Sequence, residues 1–228
     1  MILRLPAAHK KPRYALLALL VSFACSSGPS APDEQAYVDE IAADRAAKER
    51  SFREDADSPI PAGKRGDLLP LNYFPIDSEY SVPAILRLVD ERPTFDMPTS
   101  TGKLRKMQHI GTLEFTLKGK PLKLGAFVEA GTTRIQQLFV PFADVTTGTE
   151  TYAAGRYLDL HPTSTGIYVI DFNRAYNPYC AYNEKYDCPF PPPSNRLALP
   201  IRAGERSPGS DPRPAASTGA TTTNASAR

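Results

Sequence analysis

The sequence predicts a mainly β fold, an antiparallel meander forming a small barrel or sandwich, preceded by one N-terminal amphipathic helix. Three observations lead there. Apolar and polar residues alternate through the middle of the chain, most clearly over residues 111–128. Short connections separate most of the alternating segments, which suits antiparallel neighbours better than helical crossovers. A stretch without Gly or Pro, rich in Ala, Glu, Arg and Lys, runs from Asp33 to Asp55.

The first 24 residues read as a lipoprotein signal peptide. Arg4, Lys10, Lys11 and Arg13 are cationic, and Tyr14–Ala24 carries no charge. Eleven residues rise only about 16 Å as a helix, too little for a hydrocarbon core of roughly 30 Å. Val21-Ser-Phe-Ala-Cys25 resembles the bacterial lipobox, with Ser22 at the place where leucine is usual. That pattern implies cleavage before Cys25, its lipidation, and a lipid-anchored cell-envelope protein on the periplasmic side or at the outer membrane. A plain secretory signal and an uncleaved anchor are the alternatives. No acid precedes Cys25, so the remaining chain is slightly acidic despite the overall charge of +2. Nucleic acid, which demands a clustered cationic face, is not an expected partner.

Residues 25–32 form a small-residue spacer. The helix is expected over 33–55, with Ser30-x-x-Asp33 suited to capping. Tyr37, Ile41 and Phe52 fall near one stripe, and Asp44/Lys48 and Glu49/Arg53 have the favourable four-residue spacing. Those three apolar residues would dock the helix on the domain, or the helix would bind a partner. Pro59, Pro61, Gly63 and Gly66 then break the chain. One β-rich domain is expected over 56–206, and a disordered tail over 207–228, whose small and polar composition cannot offset its ordering entropy.

Within the domain, strands are expected at 83–89, 134–142, 155–160, 167–173 and 196–201, besides a hairpin inside 111–128. Folding back at Gly119-Lys120 pairs Leu117 with Leu122, Phe115 with Leu124 and Leu113 with Ala126, all on one face. Pro121 lacks the donor that a two-residue turn wants, which leaves open a four-residue loop. Strands 156–160 and 167–171 flank His161–Gly166. Paired evenly across that loop, Arg156 faces Asp171, while Leu158/Val169 and Leu160/Ile167 point inward.

Asn173 would extend this row. Arg156 and Asp171 then either fix register at one end of the barrel or line a polar pocket with Asn173, Tyr176 and Asn177. In the second case Arg156 would recognise the carboxylate or phosphate of a small polar or acidic ligand. Asp144 and Tyr152 bracket a polar segment around Gly148 that reads as a turn or a ligand loop. Cys180 and Cys188 read as a disulfide in an oxidising envelope. A thiol nucleophile and a metal site are weaker alternatives, since only His109 and His161 remain in the mature chain. No cofactor or metal motif is present.

Several blocks are too particular for generic β sequence. They are Phe139–Tyr152, Gly155-Arg-Tyr-Leu-Asp159, Asp171-Phe-Asn-Arg-Ala-Tyr-Asn-Pro-Tyr-Cys-Ala-Tyr182 and Cys188-Pro-Phe-Pro-Pro-Pro-Ser-Asn-Arg-Leu197, with Leu71-Asn-Tyr-Phe-Pro-Ile-Asp77 earlier. Together they resemble the bacterial family catalogued as domain of unknown function 1684, over roughly residues 56–206. The resemblance implies a shared fold and brings no activity, cofactor or catalytic residue. Three functions therefore stay open: a ligand- or partner-binding module with a polar cleft, a small-molecule hydrolase using Asp171 or Asp144, and an assembly protein docking through the 33–55 helix.

Overall fold

The computed structural model describes residues 34–209. The signal peptide, Cys25, the spacer, the Ser30/Asp33 cap and nearly all of the expected tail lie outside the described residues. Helix α1 (Glu34–Glu54) buries Ile41 and Phe52 and leaves Tyr37 half-buried. Glu49 and Arg53 pair along it at 2.7 Å. Asp44 and Lys48 do not meet each other; tertiary partners take both, Arg174 the first and Glu205 the second. After the Pro/Gly break the chain makes one turn of helix, α2 (Arg65–Leu68).

Seven strands follow: β1 (Ser81–Leu88), β2 (Thr94–Pro98), β3 (Leu104–Leu117), β4 (Lys120–Glu129), β5 (Leu138–Phe142), β6 (Arg156–Leu160) and β7 (Ile167–Asp171). They form one antiparallel sheet in the order β6-β5-β4-β3-β1-β7, with β2 also on β3. The sheet curls until its two ends, β6 and β7, approach each other, giving a half-barrel. The mainly β, antiparallel fold class predicted from the sequence is the observed one.

The β3–β4 hairpin turns at Lys118-Gly119, both at positive φ (49° and 74°), the mirror-image geometry that matches strand twist. Its register is two residues shorter than expected, with Leu117 opposite Lys120, Phe115 opposite Leu122 and Leu113 opposite Leu124. A shift of two leaves every side chain on its predicted face. It also places Pro121 opposite Thr116, the pair next to the hydrogen-bonded one beside the turn, so the missing N–H costs that ladder nothing. Leu113, Phe115, Leu117, Leu124 and Ala126 accordingly enter the main core.

A bulge between His109 and Gly111 breaks the parity of β3. Beyond it, Ile110, Leu113 and Phe115 face the concave core. Before it, Met107 joins Met97 and Phe127 in a cluster on the opposite face. This second face had no clear alternation, and β2 with the first half of β3 was not expected from the sequence. Two expected strands are shorter. β5 starts only at Leu138, and β7 stops at Asp171 because that side chain caps the following turn by accepting from Asn173 N.

The expected strand at 196–201 is not one. Leu197, Leu199, Ile201 and Ala203 are buried at every second position as the pattern implied, but the backbone bends at 198–199 and 203–204. Its hydrogen-bonding partners, however, come largely from side chains. Arg156 donates to the carbonyls of Ile201, Ala203 and Glu205, and Asp144 accepts from Ile201 N.

Candidate functional site

The expected Arg156–Asp171 pair does not form. Leu158 and Leu160 are buried as expected, but on β7 the faces are reversed: Tyr168 and Ile170 are buried while Ile167 and Val169 are exposed. Strand β7 pairs with β1, Asp171 lying opposite Ser81. The edge of β6 that β7 was expected to occupy is taken by Tyr176, whose N–H and carbonyl bond to those of Tyr157 at 3.0 and 2.9 Å. Residues 161–166 thus connect opposite ends of the sheet order. Because Ile167-Tyr-Val-Ile is apolar at every position, its alternation could not tell which face lies inside.

Arg156 is 1% exposed. Its Nη2 donates to Asp144 Oδ2 at 3.0 Å, and the remaining guanidinium bonds go to the three carbonyls named above. Asp144 Oδ1 accepts from Thr146 N at 2.7 Å and from its hydroxyl at 2.6 Å. The segment around Gly148 is therefore an internally bonded turn. Arg156 and Asp144 are sealed from any ligand. Asp171 lies in a separate cluster, accepting from Tyr37 OH at 2.9 Å and from Asn173 N at 3.0 Å, with Arg174 Nε at 3.3 Å. Asn173 Nδ2 donates to Tyr37 OH and to the Asp77 carbonyl, both at 2.8 Å. Asp171 and Tyr176 also line a second cavity of about 590 Å³, with Tyr37, His161 and Val169.

A different site draws together what the sequence left scattered. A cleft of about 890 Å³ opens on the sheet face opposite the main core. Register sets its floor: Phe127 faces Phe139, Phe139 faces Asp159 and Met107 faces Glu129, so Phe139, Asp159, Met107 and Glu129 share one face. Tyr157 and Arg105 lie two residues along from members of this row. One wall is the 176–189 segment, with Tyr176, Tyr179, Tyr186 and Cys188; α1 adds Lys48 and Phe52. The 132–137 loop forms the rim and contributes Arg134.

Six aromatic rings thus meet in one cleft. They are mutually braced, Phe139 against Tyr157 at 4.7 Å, Tyr157 against Tyr176 at 5.8 Å and Tyr179 against Tyr186 at 5.3 Å between centroids. Burial pushes the hydroxyls of Tyr157 and Tyr176 well above the usual tyrosine range. Each acid in the cleft is already partnered. Tyr176 OH donates to Asp159 at 2.6 Å, and Arg105 pairs with Asp187 at 3.4 Å and with Glu129 at 3.6 Å. Hydrogen bonds from Thr101 and Thr99, then Arg105, hold the Asp187 carboxyl below its ordinary value. Lys48 sits over the rings of Phe52 and Tyr176 and pairs with buried Glu205. Arg134 is exposed and has neither ion pair nor hydrogen bond among the described residues.

The expected disulfide is not formed: Cys180 and Cys188 are free thiols. The turn at Tyr179–Ala181 aims the Cys180 N–H at Cys188 Sγ, 3.1 Å away, and Tyr152 OH lies 3.9 Å from Cys180 Sγ. The hydrogen bond from Cys188 lowers the Cys180 thiol to about 6 against opposing burial, and the same bond pushes the Cys188 thiol up. Neither His109 nor His161 lines the cleft. Asn177 underlies the wall, its N–H donating to Glu205 Oε2 at 2.7 Å. Of the residues predicted from the sequence, Tyr176 and Cys188 line the cleft. The remainder were missed, although the density of tyrosines over 176–186 was a readable signal.

Fold and site define a β half-barrel with an aromatic, charge-bearing cleft on its outer face. The family described as protein of unknown function, DUF1684, matches residues 68–206, and the chain belongs to that family. An uncharacterised protein of Haloarcula marismortui, solved by solution NMR, is 39% identical; the match covers 76% of this chain and 96% of that one with a TM-score of 0.61. No curated protein matches.

Proposed function

We propose that this chain is a binding module of the cell envelope, anchored through lipid on Cys25, that receives a small polar ligand bearing an anionic group in the aromatic cleft. The N-terminal sequence supports the anchoring, with its basic start, short uncharged run and lipobox-like Val21–Cys25. One observation carries the ligand: exposed, uncommitted Arg134 stands on the rim of a cleft walled by aromatic rings. Flat rings offer apolar area at little entropic cost, and a planar guanidinium matches a carboxylate or phosphate. Partnered acids suit positioning of a ligand better than proton transfer, which needs a carboxyl poised near the working pH.

A thermal-shift screen of the full chain against anionic metabolites tests this. A ligand at a hundredfold its Kd adds about 2.7 kcal/mol to stability. The expected hit raises the melting temperature of the wild type, and the gain shrinks in Arg134→Ala and in Tyr179→Ala. Equal shifts in all three proteins would move the site away from the cleft and sink the reading.

A further inference from the structure

The outer face of the β1–β7 pair carries an apolar block. Pro83 lies opposite Val169 and Ile85 opposite Ile167, so four apolar side chains form a two-by-two patch with partners about 5 Å apart. Ile85, Ile167 and Val169 are 45%, 56% and 59% exposed. Strand β7 ends the sheet order, and edge strands normally carry charge or shortness rather than bare β-branched residues. A contiguous exposed patch of this kind marks a contact surface.

The position of α1 narrows the choice of what covers it. Tyr37 donates to Asp171, two residues beyond Val169 on the same side of β7. The first turn of the helix therefore sits at one corner of the block. Nine peptide units separate Cys25 from Glu34, a reach of at most about 32 Å. Neither flanking stretch offers a cover: residues 26–33 and 210–228 contain no Leu, Ile, Val, Met or aromatic side chain.

We infer that Pro83, Ile85, Ile167 and Val169 form a membrane-resting surface, covered by the lipid bilayer to which Cys25 is anchored. This rests on the anchoring reading above. The tether keeps the patch beside the bilayer at high effective concentration, so a contact of four side chains suffices without strong intrinsic affinity. The remaining rival occupant, a second copy of the chain, gains no such advantage.

The chain has no tryptophan, so a single introduced indole reports one position. Acylated full-length Ile167→Trp is reconstituted into phosphatidylcholine vesicles with and without brominated acyl chains. Leu104→Trp, at a site 62% exposed near the start of β3, is the control. Flotation and the mass of the N-terminal fragment read the anchor separately. The expected result is a floating, acylated chain in which only Ile167→Trp emission moves to the blue and is quenched by bromine. A floating chain with equal responses at both positions, or none, overturns this surface and leaves the anchor standing. A blue shift that needs protein concentration and no vesicles gives the patch to a second copy. Absence of acyl mass and of flotation overturns anchor and surface together.

Discussion

Arg156 holds its charge where water does not reach, and three backbone carbonyls together with Asp144 replace its hydration. A pair of this kind adds little net stability, because desolvation offsets attraction, but removing one partner strands the other charge. Asp144→Ala should therefore cost about 3–5 kcal/mol in urea unfolding. The double variant Asp144→Ala/Arg156→Met should regain part of that loss. A single-variant loss under about 1 kcal/mol would show that the guanidinium is satisfied by carbonyls alone. That Arg156 needs a buried acid was legible in the sequence, since it lies in line with inward Leu158 and Leu160. Which acid was not, because Asp144 is brought to Arg156 by β5 and by the segment around Ile201 rather than by a neighbouring hairpin strand.

Strands β4 and β5 are paired only at Phe127 and Phe139, yet the sheet continues through them. Asn195 closes the gap. Its Oδ1 accepts from Gly125 N at 2.7 Å, and its Nδ2 donates to the carbonyls of Gly125 and Pro141 at 2.9 and 2.7 Å. A Cβ on Gly125 would lie 3.1 Å from that amide oxygen and 2.8 Å from the Phe127 ring, so the close approach requires glycine. Asn195→Ala leaves buried backbone groups on two strands without partners, at about 1–3 kcal/mol for each group left unsatisfied. We expect a destabilisation of at least about 2 kcal/mol, with earlier amide exchange over 122–128 and 138–142. Unchanged exchange in those strands would mean that the clamp is dispensable. The alternating apolar residues of 197–203 announced which side chains are buried, but whether a strand or side chains would satisfy the backbone depended on residues far away in sequence.

At the scale of the molecule, α1 belongs to the half-barrel and to the cleft at once. Phe52 packs with Ile60, Leu69, Leu71 and Tyr182, Arg45 donates to the carbonyls of Phe74 and Asn173, and Lys48 neutralises buried Glu205. Its apolar stripe is thus committed to the half-barrel. A chain lacking residues 34–54 loses a buried Phe, worth about 3–5 kcal/mol by itself, and leaves Glu205 without its cation. Against a typical total of about 5–15 kcal/mol, we expect this chain to melt far below the full one or to lack a cooperative transition in calorimetry. Cooperative melting at the full-length temperature would make α1 an appendage.

Period-two alternation and short connections by themselves determined the antiparallel β class and the faces of β4, β6 and the second half of β3, and a run of helix formers without Gly or Pro determined the helix at 34–54, because these follow from local backbone preference. The sequence also carried the family resemblance that the match over 68–206 bears out. Tertiary structure alone decided which strands are neighbours. β7 pairs with β1 while Tyr176 occupies the edge of β6, and that arrangement separates Arg156 from Asp171. Tertiary structure likewise gathered Tyr176, Tyr179 and Tyr186, Phe52 of α1 and Arg134 around one cleft, since partners far apart in sequence meet only once the sheet has curled.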